Sequence, residues 1–214
     1  MPARQLLTLS GLGSVILLVI AFAGFSQSTP DTSDSGATIK EFYVDHGSRQ
    51  QIAAYLVALA VPLLVIFAST VRATLAESTG GKSTVWHNIF LGGALIAAAG
   101  FFVSVCLTFA LTSTPEDFSA TTMQALNAID SESWVGFTGG IGIMLLGAAG
   151  AMLPVQSGVS WLGWIALVLG ILMFTPVGFF AFLGAGLWIA LASVALTMRL
   201  RARPAGLRES AVAG

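Results

Sequence analysis

The chain reads as an all-α, polytopic transmembrane bundle of six spans, and three observations carry that reading. Of its 214 residues, 56% are hydrophobic and only 9% are charged, with a mean hydropathy of +0.88. A water-soluble domain carries about 25% charged residues, so most of this surface must face lipid. Apolar stretches of about 20 residues, enough to cross about 30 Å of hydrocarbon, recur along the chain. Basic residues gather in alternate connections, as they do in membrane proteins of fixed orientation.

The spans fall at about 6–25, 51–73, 86–112, 134–153, 159–174 and 179–198. The first follows Arg4 and contains Ala21-Phe22-Ala23, which also reads as a secretory signal peptide with a small-residue cleavage site. Cleavage there leaves five spans. The apolar run exceeds a typical signal core, which favours a retained helix. Residues 27–36 form a polar linker. Thr38-Ile39-Lys40-Glu41 is a capping box and Gly47 suits a helix end, so 38–47 predicts a short outer amphipathic helix with Ile39, Phe42, Tyr43 and His46 on one face. Ser48-Arg49-Gln50-Gln51 then opens the second span, where Pro62 predicts a kink. Before the fourth span, Thr114-Pro115-Glu116-Asp117 predicts the start of a second outer helix, with Phe118, Ala125, Leu126 and Ile129 as its apolar stripe. The final apolar stretch would be about twice the membrane thickness as one helix. Thr175-Pro176-Val177-Gly178 folds it back into two spans. Residues 1–203 thus form one transmembrane domain, and 204–214 a disordered tail.

Charge sets the orientation. Arg4, Arg72, Lys82, Arg199, Arg201, Arg203 and Arg208 fall on one side of a six-span chain, and only Lys40 and Arg49 on the other. Asp31, Asp34, Glu41, Asp45, Glu116, Asp117, Asp130 and Glu132 all fall with the minority. This predicts a multi-pass protein of the cytoplasmic membrane with both termini in the cytoplasm. The near-neutral net charge of -1 argues against a polyanionic partner such as nucleic acid.

Small residues in register mark where helices approach each other in lipid. Gly136-xxx-Gly140 and Gly147-xxx-Ala151 lie on the fourth span, Ala181-xxx-Ala185 and Gly186-xxx-Ala190 on the sixth, and Gly93 and Gly100 one heptad apart on the third. Gly136, Gly140, Gly147 and Gly186 are the expected packing positions, within one chain or between two copies. Trp86, Trp134, Trp161 and Trp164 stand near span ends, as interfacial anchors do.

Reactive chemistry is sparse. Ala76-Glu77-Ser78-Thr79-Gly80-Gly81-Lys82-Ser83 fits a relaxed phosphate-loop pattern, but it lies between membrane helices where no sheet can form, so no nucleotide is expected. Tyr43, Asp45, His46 and Arg49 make an outer cluster able in principle to hold a ligand or partner. A histidine bonded within an outer cap explains the same residues. His87 beside Trp86 reads as an interfacial anchor, and Cys106 as a small buried hydrophobe. No Asp, Glu, Lys, Arg or His lies mid-span, where proton pumps and voltage sensors need them. No metal, cofactor or catalytic constellation is legible, so a non-enzyme is expected.

The run Phe42-Tyr43-Val44-Asp45-His46-Gly47-Ser48-Arg49, with Ala54-Tyr55-Leu56 and Val71-Arg72, resembles a group of small, uncharacterised polytopic membrane proteins of high-GC Gram-positive bacteria. The resemblance covers the chain to about Leu75. It implies a retained first helix and no particular activity. Taken together, the residues predict a non-catalytic accessory subunit or envelope scaffold with a protein partner or a second copy of itself. Two alternatives are a carrier or channel for a neutral or lipophilic solute and an outward-facing ligand sensor.

Overall fold

In a computed structural model the protein is an all-α bundle; residues 3–78, 84–154 and 160–202 are described. Helix α1 (Ala3–Val19) continues as a π-helical segment (Ile20–Phe25). It is followed by α2 (Gly36–Ser78), α3 (Thr84–Ser113), a 3-10 turn (Pro115–Asp117), α4 (Ala120–Glu132), α5 (Trp134–Met152), α6 (Ser160–Leu172) and α7 (Gly178–Ala202). Among the described residues, five helical stretches are long and apolar enough to cross a membrane: Gln5–Phe25, Gly36–Glu77, Val85–Ser113, Ala120–Met152 and Gly178–Arg199. The sixth apolar helix, Ser160–Leu172, has 13 residues and reaches only about 20 Å. Within Ala120–Met152 the charges, Asp130 and Glu132, all precede Trp134, so the apolar span is α5 and α4 sits beyond its end. The phosphate-like motif from Thr79 to Ser83 and the tail at 204–214 lie outside the described residues.

The most extensive interface is between α3 and α5. A Cβ on Gly140 would collide with the backbone of Ala97, one on Gly147 with that of Phe90, and one on Gly93 or Gly100 with that of Met144 or Phe137. Glycine here removes the side chain that would hold two backbones apart. Gly136 joins the seam: a Cβ there would lie 3.4 Å from the Cα of Gly100. Gly186 does not: a Cβ there would meet only a methyl of Val15, at 3.9 Å. The small-residue pattern therefore reports close approach in three of the four expected positions and a lined space in the fourth.

Helix α1 packs against α2 and α7. Ser14 donates to the Ala60 carbonyl at 2.9 Å, and the Thr8 and Thr197 hydroxyls meet at 2.7 Å. These bonds and Ala21, wholly buried, embed the first helix in the bundle. Trp188, the fifth tryptophan, is a core residue whose Nε1 donates to the Leu162 carbonyl at 2.9 Å, tying α7 to α6. The fold-back lies at Thr175–Gly178 as expected, closed by the Gly178 amide on the Thr175 carbonyl at 2.9 Å.

The outer helices differ from expectation in three ways. The segment 38–47 is not a separate helix. It forms the beginning of α2, an unbroken helix of 43 residues that runs through Pro62. Ser35, not Thr38, receives the first-turn amide: Thr38 N–H reaches Ser35 Oγ at 3.2 Å. Gly47 does not end the helix; it faces the chain at Thr112, whose carbonyl would be 3.4 Å from an added Cβ, so it serves proximity, not termination. Second, Pro115–Asp117 makes only a 3-10 turn, and α4 starts anew after Ser119, whose side chain accepts from the Thr122 amide. Third, the inward face of α4 is Met123 and Asn127, while Ile129 is 57% exposed. Polar partners described below outweigh hydropathy there.

The α3–α5 seam gives a direct test. Gly140→Leu should destabilise the detergent-solubilised protein by at least about 2 kcal/mol, because backbone must move to admit the side chain. Gly139→Ala, which meets nothing within 4 Å, should be neutral or slightly stabilising. Thermal melts of the two variants check both outcomes.

Candidate functional site

At the α4 end of the bundle a polar cap forms over the apolar core. Ile39, Tyr43, Leu111 and Met123 make a small separate core, with Phe42, Phe118 and Leu126 against it. Around it, side chains close the backbone ends that helix termini leave open. Lys40 Nζ donates to the carbonyls of Glu116 at 2.7 Å and Phe118 at 3.1 Å. Gln51 donates to Thr112, Gln124 to Asp34 and Gln50 to Gln27, each at 3.2 Å to a carbonyl. Arg49 donates to the Gly24 carbonyl at 3.0 Å, anchoring the π-helical turn to α2.

The four residues expected to cluster do not converge. Tyr43 points inward, and its hydroxyl donates to Asn127 Oδ1 at 3.0 Å. Asn127 in turn donates to the Pro30 carbonyl at 3.2 Å. His46 stacks on Phe42, with ring centroids 4.7 Å apart, and bonds through Nδ1 to the Phe42 carbonyl. Asp45 is exposed, and Arg49 holds Gly24. Successive helical positions diverge by about 100°, which sends neighbours in sequence to different faces. Only Tyr43 lines a depression, one of about 250 Å³ that runs past Gly47 and Gln51 to Thr112–Asp117.

Asp130, by sequence one of the outer acids, has a more unusual environment than any of the four. It lines a cavity of about 150 Å³ with the π-helical segment, α2 (Gln50, Ala53), α3 (Ser104, Thr108) and Phe137 of α5. Its Oδ1 is enclosed and has no hydrogen-bond partner among the described residues. Burial pushes its carboxyl up from 3.8 to about 6. Burial first, and the Asp130 charge second, keep the Tyr43 hydroxyl protonated well above its ordinary range. Helical spacing on α4 offers a signal for this: Met123, Asn127 and Asp130 recur at i, i+4 and i+7.

A second cavity, of about 420 Å³, lies deeper and is half-open between α1 and α7. Its walls are almost wholly apolar, from Val15, Leu18, Leu64, Ile141 and Leu187 among others, and it includes Gly186. Phe22 and Phe101 line both cavities. They belong to a cluster with Phe137 and Phe182: Phe101 and Phe137 stack at 4.5 Å, and Phe182 sits 5.4 Å from Phe137 and 6.4 Å from Phe22 and Phe101. The rings form the partition between a polar compartment and an apolar one. Phe22 stands on the π-helical segment, a geometry that often marks functional sites because it re-aims side chains.

Comparison with protein-family models, curated proteins and solved structures returns no match.

The buried carboxyl gives a pH signature. Its folded-state affinity for a proton is raised, so its contribution to stability is full below about pH 4 and is lost as pH rises through about 6. Asp130→Asn should therefore melt above the native chain at pH 8, by at most about 3 kcal/mol, and level with it at pH 4. In Tyr43→Phe the loss of the Asn127 bond should cost about 1 kcal/mol at either pH. Melting curves of the three proteins across this range decide both.

Proposed function

We propose that this integral membrane protein is non-catalytic and takes up a neutral or lipophilic solute from within the bilayer. The observation that carries the reading is the cavity of about 420 Å³ beside α1 and α7. Its volume lies in the range of small-ligand sites, about 300–1,000 Å³. Its apolar walls suit a solute already dissolved in lipid. The second cavity, between α2, α3 and α5 at the α4 end, adjoins it across Phe22 and Phe101. The charge bias of the connections supports both termini in the cytoplasm, which puts the cap on the outer face.

A second reading, an accessory subunit, draws on α6. This helix is too short to span and exposes Trp161, Trp164, Val168 and Ile171 along one side. A short span is matched to a bilayer by thinning it or by associating with another helix. A stoichiometric partner co-purifying from native membranes, and lost when Trp164 and Val168 are changed to alanine, would favour this reading over the first.

The uptake reading is tested by filling the cavity. Gly186→Leu has room for its Cβ and places three further carbons among the lining residues. The variant should keep its melting temperature within a few degrees and lose at least about tenfold in affinity for a fluorescent fatty alcohol. Unchanged affinity would remove the cavity as the site.

A further inference from the structure

We infer that the two cavities form one site for a single-chain amphiphile, whose alkyl tail occupies the apolar compartment and whose ammonium head group pairs with the carboxylate of Asp130. The inference deepens the uptake reading above and rests on it. The compartments adjoin across Phe22 and Phe101, so a chain threading the phenylalanine partition would touch both. Their linings differ in character: the deeper one offers almost only hydrocarbon, while the other adds Asp130, Gln50 and the hydroxyls of Ser104 and Thr108 to walls that include Ala53, Val57 and Val105. That is the polarity profile of an amphiphile, not of a pure hydrocarbon or a polar metabolite.

Charge selects the head group. Asp130 is an acid enclosed at the edge of an apolar core, with one carboxylate oxygen lacking a partner. The cations of this end of the bundle are directed elsewhere. Lys40 bonds the carbonyls of Glu116 and Phe118, and Arg49 that of Gly24. A buried carboxylate without a cation is costly, and a donor that brings positive charge relieves that cost most. An alkylammonium supplies three N–H donors in a volume small enough for the polar compartment. An anionic head group would meet repulsion from the same residue. The partition limits the site to one chain: its rings are in contact, 4.5–6.4 Å apart at their centroids, so a tail reaching from one compartment to the other displaces a ring, and a second alkyl chain would have to displace more.

The test uses the full chain purified in a neutral sugar detergent, with tetradecylamine and tetradecanol as probes of equal length, read by competition against a fluorescent fatty alcohol. The native protein should bind the amine about ten- to a hundredfold more tightly than the alcohol. Asp130→Asn and Asp130→Ser should each erase that preference by bringing the affinity for the amine down to that for the alcohol, with thermal melts confirming that both fold. Equal affinity of the native chain for the two probes would overturn the head-group assignment and leave the uptake reading standing. An amine preference that persists in both variants would likewise overturn the role of Asp130. Failure of the native chain to bind either probe would overturn the uptake reading together with this inference.

Discussion

The close approach of α3 and α5 is the constraint on which the remaining helices depend. Between two helices in lipid no water is released, so association must come from van der Waals contact of backbones and small side chains. Gly93, Gly100, Gly140 and Gly147 supply it by presenting no Cβ where one would collide. With those two helices locked, α2 lies along α3, and α1 closes onto α2 and α7. Helix α7 meets α5 over a much smaller interface than α3 does. The apolar cavity is the consequence: α1 and α7 wrap a seam too tight to fill the space beside it. Gly186 and the alanines of α7 line that space instead of closing it.

The polar cap has a different physical origin. Helices that end near a membrane surface leave carbonyls and amides that need partners. Here long side chains supply them across elements, from Lys40, Arg49, Gln50, Gln51 and Gln124. Continuing α2 without a break past Gly47 is what brings these groups over the bundle. The cap also accounts for Asp130: with its helix pinned by the Tyr43–Asn127–Pro30 chain of bonds, the carboxyl one turn on is held against the core. An acid so placed is a cost to the fold.

The fold-back at Thr175–Gly178 was legible from Pro176 and Gly178 in a stretch too long for one span, and hydropathy and charge alone decided that this is an all-α membrane protein and where its apolar stretches lie. These follow from composition summed over about 20 residues, which is robust to any single contact. The glycine seam was legible for the same reason: small residues at fixed spacing have few other uses within lipid. What the chain could not declare was which polar residues meet. Tyr43, Asp45, His46 and Arg49 stand together in sequence and part in space. Asp130 stands 80 residues or more from Gln50 and the π-helical segment and shares a cavity with them. Helix ends moved for the same cause, since Ser35 and Ser119 displaced the more obvious caps once tertiary partners had settled the register. Local pattern fixes which face of a helix is apolar; only the assembled bundle determines which partner each polar side chain finds, because those bonds are made between segments far apart along the chain.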